Sequence, residues 1–470
     1  MFFELQTYAD KPAFITDSGK KITYKELHFA TEKIAAYIPS GSFVFTLCDN
    51  HPGAVTGYVA MLDHHKAQVL LDAGKDIETI KQLSASYQPD FYWLPVHRAD
   101  EFAQAGLTEG KILCSYEDYC LLKRHGEIAE TVHPDLLLCL TTSGSTGSPK
   151  FVRISQTNLK SNTEAITEYL NIDTQERPIT SLPLYYSFGM SVVNSNLLKG
   201  ATILLTDKPI VQREFWDFLK RERATSIAGV PYTYETLKAF RIFRMDLPYL
   251  HTMIQAGGKL NADIVKEYAE YAQANGKRFF VMYGQTEASP RISYLPTDRA
   301  SDKNRSIGIA IPGGKMVITD EQGKEITTPY TDGELVYYGQ NVCMGYAECR
   351  RDLQKGDENH GCLHTGDIAR FDEEGLFYIT GRLKRFVKVW GNRCNLDAVE
   401  QLVKSVTTDC ACTGVDNLIT IYVTAAGLED PIIQLLTNKT GFNPQAFAVK
   451  VVPTIPKMES GKTDYKRLTF

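Results

Sequence analysis

One stretch limits this chain more than any other: Thr141-Thr142-Ser143-Gly144-Ser145-Thr146-Gly147-Ser148-Pro149-Lys150. It follows Leu136-Leu137-Leu138-Cys139-Leu140, an apolar run that predicts a short buried strand. A strand that empties into glycines and small hydroxyl residues, closed by a lysine, is suited to hold phosphate. Glycine lets backbone N–H groups turn inward and approach an anion closely. The hydroxyls of Thr142, Ser143, Ser145 and Thr146 add donors, and Lys150 adds a full positive charge. Composition alone fits a solvated Ser/Thr/Gly loop equally well. The nucleotide loop of P-loop ATPases is excluded, because G-x-x-x-x-G-K-[ST] fails where Pro149 precedes Lys150.

A chain of 470 residues is too long for one compact core, so at least two domains are expected. Hydrophobic content of 43% with 23% charged residues is the composition of a soluble globular protein. A formal net charge of −5 with no basic tract argues against nucleic acid as a partner. No apolar run reaches the length of a membrane span, and Met1-Phe2-Phe3-Glu4 lacks the features of an export signal. A cytoplasmic location is expected, with the ten cysteines as reduced thiols. Cys410 and Cys412 are the only close pair and form no C-x-x-C, so no zinc site is expected.

Residues 13–16 and 21–23 flank Asp17-Ser18-Gly19 and read as a hairpin. Thr23-Tyr24-Lys25-Glu26 fits a capping box, with Leu27, Ile34 and Ile38 following at helical spacing. Residues 43–47 and 67–71 are strand-like around a helical 51–62. The alternation continues through helix 157–169, strand 202–205, helix 214–223, strand 226–229 and helix 232–240, which predicts parallel βαβ units. His64-His65 reads as a surface pair. Residues 302–361 become β-rich, with a charged loop over 350–361. The end of the chain is α/β, with a helix over 395–405 and a strand over 418–424.

Two further strands deliver chemistry at their ends. Met253-Ile254-Gln255-Ala256 runs into Gly257-Gly258, and glycines where a parallel strand ends suit close approach to a nucleotide. A simple turn fits them as well. Phe279-Phe280-Val281-Met282 runs into Tyr283-Gly284-Gln285-Thr286-Glu287. That sequence supplies a flat apolar face, a neutral donor and a hard oxygen ligand for a hard cation. Later, Leu363-His364-Thr365-Gly366-Asp367 offers a carboxylate that is either a ligand for a diol or a loop cap.

Together these segments resemble the adenylate-forming (ANL) superfamily, most nearly its acyl- and aryl-CoA synthetases. The family's T-S-G-[ST]-T-G-x-P-K-G is matched over 142–150 and its Y-G-x-T-E over 283–287. Its G-E-L…G…G-Y is matched from Gly333 to Tyr346, and its T-G-D by Thr365-Gly366-Asp367. The later arginine is Arg382 in Gly381-Arg382, and the terminal L-P-x-x-x-x-G-K is approximated from Ile455 to Lys462. The resemblance implies an α/β fold. A large N-terminal domain (1–383) would carry parallel-rich sheets flanked by helices plus a β-rich subdomain. A small mobile α/β domain (384–470) would follow, hinged at Lys384.

The same resemblance assigns roles. Thr142, Ser143, Gly144, Ser145, Thr146 and Gly147, with Lys150, hold the ATP phosphates. Tyr283 stacks on the adenine, and Gly257, Gly258 and Gly284 count with it among the nucleotide-binding positions. Thr286 bonds the α-phosphate, Glu287 holds Mg²⁺, and Asp367 and Arg382 take the ribose. Tyr186, Phe188 and Val230 line the acyl pocket, Gly391 reaches the thiol tunnel, and Lys462 bridges the carboxylate and the α-phosphate. Lys462, Thr286, Glu287 and Lys150 are then the catalytic set. The expected reaction joins a carboxylic acid to AMP with release of pyrophosphate, then passes the acyl group to a thiol of CoA. The alternative acceptor is the phosphopantetheine of an acyl carrier protein. The reading from another class is a non-catalytic AMP- or ATP-binding protein, against which the retained Lys462 argues.

Several positions depart from the family pattern. Phe151 stands where a glycine is usual, and is expected to crowd the loop's exit. Gln156 and Tyr186 replace frequent histidines. Ser187-Phe188 lacks the aspartate that would receive the ammonium group of an amino acid, so an acyl or aryl acid is expected instead.

Overall fold

The computed structural model describes residues 2–126, 130–141, 150–390, 392–458 and 463–468. Its packing falls into two units. The first comprises residues 1–304, 310–315 and 338–363; the second comprises 305–309, 316–337 and 364–470.

Two sheets build the first unit. In one, the strands Leu136–Thr141, Ala67–Asp72, Phe43–Cys48 and Phe91–Pro95 lie side by side and parallel. All six residues of Phe43–Cys48 are buried, the pattern of a strand covered on both faces. Antiparallel strands extend this sheet on both sides: Phe151–Ser155 and Gly345–Ala347 on one, Tyr119–Arg124 and Thr108–Tyr116 on the other. In the second sheet, Arg278–Gly284, Thr252–Gln255, Ser226–Gly229, Pro178–Ile179, Ile203–Leu205 and Pro12–Thr16 are successive parallel neighbours. The strand Arg291–Leu295 pairs antiparallel with Arg278–Gly284, and Lys21–Thr23 with Pro12–Thr16. The helix Pro52–Asp63 is buried along its whole length, and Ser187–Leu198 nearly so. Both contribute to one core shared with strands of the two sheets. A helix apolar on all sides has no solvent face, so it belongs between layers.

The predicted hairpin and the capping box on Thr23 and Glu26 are both present. Element ends differ from expectation by a residue or two, as frayed ends do. Three strands, Phe91–Pro95, Thr108–Tyr116 and Tyr119–Arg124, carry no clear alternation and were not anticipated. The charged 350–361 stretch is likewise more structured than its composition suggests. It opens with a 3₁₀ turn, Arg350–Gln354, in which Arg350 is buried. Its guanidinium donates to the Gln88 carbonyl at 3.0 Å and to Asp90 Oδ2 at 3.1 Å. Periodicity reports the local chain and is blind to an ion pair between residues this far apart.

In the second unit, a five-stranded sheet runs in the order Glu325–Ile326, Lys315–Thr319, Gly333–Tyr338, Cys362–Phe371, Phe377–Arg382. An α/β body follows. Helices Leu396–Val403 and Glu429–Thr440 share one core with the strands Cys410–Val415, Leu418–Val423 and Phe447–Val451. The expected boundary at 383/384 concerns rotation. It falls inside this packing unit, in the 3₁₀ turn Leu383–Arg385. All ten cysteines are free. Among the described residues, no helix is long and apolar enough to cross a membrane.

Candidate active site

Three neighbouring parallel strands of the second sheet end together. Ser226–Gly229 leads into Val230, Thr252–Gln255 into Ala256-Gly257-Gly258, and Arg278–Gly284 into Thr286 and Glu287. Open parallel sheets collect ligands at this end of their strands. Sequence placed a candidate residue on each strand, and the sheet brings the three groups to one edge. Gly257 has φ +84°, and a Cβ there would lie 2.6 Å from the Tyr186 hydroxyl and 3.1 Å from Val230 Cγ1. Only glycine lets Tyr186, Val230 and this strand end converge. Gly284 is equally constrained, since a Cβ would meet the Pro290 carbonyl oxygen at 2.0 Å. The chain can therefore turn back at once into the antiparallel strand Arg291–Leu295.

Glu287 lies in the 3₁₀ turn Thr286–Ala288 and is half-buried. Its Oε1 accepts from the Tyr346 hydroxyl at 2.7 Å, and its carbonyl accepts from the Cys343 N–H at 2.8 Å. Burial and the adjacent carboxylate hold the Tyr346 phenol far above its ordinary pKa, so it stays a neutral donor. No cation pairs with Glu287 among the described residues. A hard carboxylate oxygen with no cation of its own suits a divalent metal.

Lys150 pairs with Glu348 at 2.6 Å. Both side chains are substantially exposed, so the pair contributes about 1 kcal/mol at most. An ammonium held that weakly can be given up to a phosphate. Residues 142–149 of the phosphate loop lie outside the described residues. The loop's flanks are fixed, because Thr141 and Phe151 are partners in the antiparallel register. The crowding expected of the Phe151 ring concerns a loop that lies outside the described residues. That ring is fully buried and stacks on Tyr87, centroids 3.8 Å apart. Gln156 is the first residue of the helix Gln156–Tyr169.

Phe188 is buried, and Tyr186 and Val230 pack against the same cluster as Ile254, Ala256 and Met282. The three predicted pocket residues thus lie in one neighbourhood. Beside them, Phe188, Ser191, Ala228, Ile254, Met282 and Arg291 line a cavity with a free volume of about 20 Å³. Sequence reasoning overlooked three residues here: Tyr346, Glu348 and Arg291. Tyr346 lay within a quoted motif but was given no role. Arg291 had a readable signal, a lone charge four residues beyond Glu287 at the head of an apolar strand.

In the second unit Asp367 and Arg382 are direct cross-strand partners, Nε to Oδ1 at 2.9 Å. Asp367 is buried, while Arg382 is exposed. Around Lys384 the chain is tied on both sides. Asn395 Nδ2 donates to the Thr380 carbonyl at 2.9 Å, and a Cβ on Gly381 would come within 2.1 Å of that nitrogen. Arg385 Nη2 reaches Glu400 at 3.1 Å, and its guanidinium lies 3.9 Å over the Tyr465 ring. Tyr465 donates to the same Glu400, so the segment that follows Lys462 is anchored. Lys462 and Gly391 lie outside the described residues. Lys457 and Thr463, on either side of Lys462, form an antiparallel bridge.

A largely parallel sheet that brings an aromatic ring, a hydroxyl and a carboxylate to its strand ends is an α/β arrangement suited to a nucleotide and a divalent metal. Residues 3–347 match the AMP-binding enzyme family, and the chain belongs to it. It is 30% identical over 262 residues to a feruloyl-CoA synthase of Amycolatopsis sp., covering 54% of this chain and 50% of that protein. It therefore spans about half the length of that relative. It is 23% identical over 472 residues to a linear gramicidin synthase of Brevibacillus parabrevis, covering 95% of this chain and 6% of that one. The O-succinylbenzoate coenzyme A synthetase of Bacillus subtilis, solved with ATP and magnesium, has the same fold. Its TM-score is 0.80 at 20% identity, over 98% of this chain and 97% of that one.

Proposed function

We propose that this protein activates a carboxylic acid with ATP and then transfers the acyl group to a thiol, with CoA as the acceptor. The observation that carries this reading is Glu287, a half-buried carboxylate oriented by Tyr346 at the end of the strand that presents Tyr283 and Thr286. In the first step a carboxylate oxygen forms a bond to the α-phosphorus and pyrophosphate leaves. Two anions must meet, so the repulsion between them has to be cancelled by fixed donors and cations. One such preorganised donor typically contributes about 10²–10³-fold in rate. Thr286 is the donor assigned to the α-phosphate, with Lys150 and Lys462 as cations. Glu287 would hold magnesium, which when bound supplies further neutralisation. Asp367, an acceptor only, would take the ribose hydroxyls beside Arg382. In the second step a thiolate attacks the acyl carbonyl and AMP leaves, the thiol proton going to solvent.

The alignment of nearly the whole chain to a gramicidin synthase supports a second acceptor, the phosphopantetheine of a carrier protein. A panel of acids tested for ATP–pyrophosphate exchange and hydroxylamine trapping, with and without CoA, decides between these readings. Acid-dependent exchange with thioester formation only when CoA is present is the expected result. AMP binding without exchange across the whole panel would overturn the enzymatic reading and leave a nucleotide sensor.

A further inference from the structure

Arg291 opens the strand Arg291–Leu295, and its side chain is 3% exposed. The guanidinium carbon lies 4.2 Å from the centre of the Phe188 ring. Nη2 donates to Ser191 Oγ at 3.1 Å, while the buried Nε has no acceptor. The ionisable groups facing it are the phenols of Tyr169 and Tyr186. Burial raises the first to about 12 and the second upward from its ordinary value, so both remain neutral. Burial also lowers Arg291 itself, yet a guanidinium keeps its proton in a protein. The acid lining the same cavity, Glu176, faces a different arginine, Arg278, at 3.6 Å. Among the described residues no carboxylate pairs with Arg291.

The guanidinium is hydrogen-bonded to Tyr169 and Ser191 and lies over Phe188, but a buried cation with no anion beside it and an unfilled Nε remains costly. The backbone nevertheless holds this one firmly in place. The side-chain amides of Asn162 and Asn341 both donate to the Arg291 carbonyl, at 3.0 and 2.8 Å. The antiparallel register ties it to Gly284, the residue after Tyr283. Its side chain lines the cavity shared with Phe188, whose free volume of about 20 Å³ admits roughly one water, so a bound carboxylate requires the cavity walls to give.

We propose that Arg291 is a specificity residue that receives a second carboxylate on the acid being activated, so that the substrate is a short dicarboxylic acid. This rests on the acid-activating reading above. Nε and Nη2 form one edge of the planar fork, a match for the two oxygens of a carboxylate. The hydroxyl of Ser191 already lies on that edge.

The test is pyrophosphate exchange with matched pairs, succinate against butyrate and glutarate against pentanoate, on the wild type, Arg291→Met and Arg291→Lys. A polar site discriminates strongly against a ligand lacking its partner group. The wild type should therefore favour the diacid by at least about 10²-fold in kcat/KM, and Arg291→Met should lose that preference with KM for ATP unchanged. Arg291→Lys, which keeps the charge, should retain part of it. Without ligand, Arg291→Met should melt no lower than the wild type. Succinate should raise the Tm of the wild type and leave that of Arg291→Met unmoved. A wild type that prefers monoacids, or variants with an unchanged ranking, would overturn the proposal. If no acid supports exchange, the activation reading fails, and the succinate-dependent Tm shift alone decides whether Arg291 holds a carboxylate. Should Arg291→Met not fold, the Arg291→Lys ranking decides.

Discussion

The imidazole of His51 lies between two carboxylates, with Asp49 Oδ2 2.9 Å from Nδ1 and Asp207 Oδ2 3.1 Å from Nε2. The hydrogen bond to Asp49, helped by the charges of Asp49 and Asp207, raises the pKa of His51 to about 9 from an ordinary 6.5. The folded state therefore holds this proton more tightly than the unfolded chain does. The resulting stability is complete below about pH 6.5 and is lost as pH rises through about 9. The side chain is half exposed, so solvent screening limits the effect to about 1 kcal/mol or less. Urea unfolding of wild type and His51→Gln should differ most near pH 6 and converge near pH 10; a constant difference would contradict the assignment. Glu287 makes a different demand. Its orienting partner is Tyr346, and removing such an outer partner typically weakens metal binding by roughly 10–100-fold. Tyr346→Phe should raise the Mg²⁺ concentration for half-maximal exchange accordingly. Glu287 stood out as a candidate in the sequence because aromatic, hydroxyl and carboxylate fall within five residues. Tyr346 as its partner was not, because only the fold brings those residues together.

The decisive element is the pair of strands Arg278–Gly284 and Arg291–Leu295 with the short connection between them. That connection turns tightly because Gly284 has no side chain to meet the Pro290 carbonyl. Gly284→Ala should cost roughly 1–3 kcal/mol through overpacking, read as a lower urea midpoint. It should also displace Thr286 and Glu287 together, so exchange should fall with stability. The apolar strand ahead of the motif was plain in the sequence. The strand after it was not, because Arg291 breaks the apolar pattern at its first position. The three strands from 91 to 124 were missed for a related reason. The long antiparallel hairpin there is irregular, with register shifts between Thr108 and Cys114, so no clean alternation marks it.

For the molecule as a whole, the proposal requires Lys462 to serve the first half-reaction only. Lys462→Ala should abolish acid-dependent pyrophosphate exchange while still converting a supplied acyl-adenylate to thioester. Equal loss of both steps would rule out separate roles. Lys384→Pro, which fixes φ at the proposed hinge, should slow thioester formation more than exchange. By itself the sequence determined most of the run of strands and helices and the segments that match the family's motifs, because both are written in local spacing. The tertiary structure decided which distant side chains meet. Glu287 finds Tyr346 59 residues away, and Arg291 finds Ser191 100 residues away and, among the described residues, no carboxylate at all. Such meetings depend on the path of the whole chain through two sheets, and no periodicity along the chain records that path.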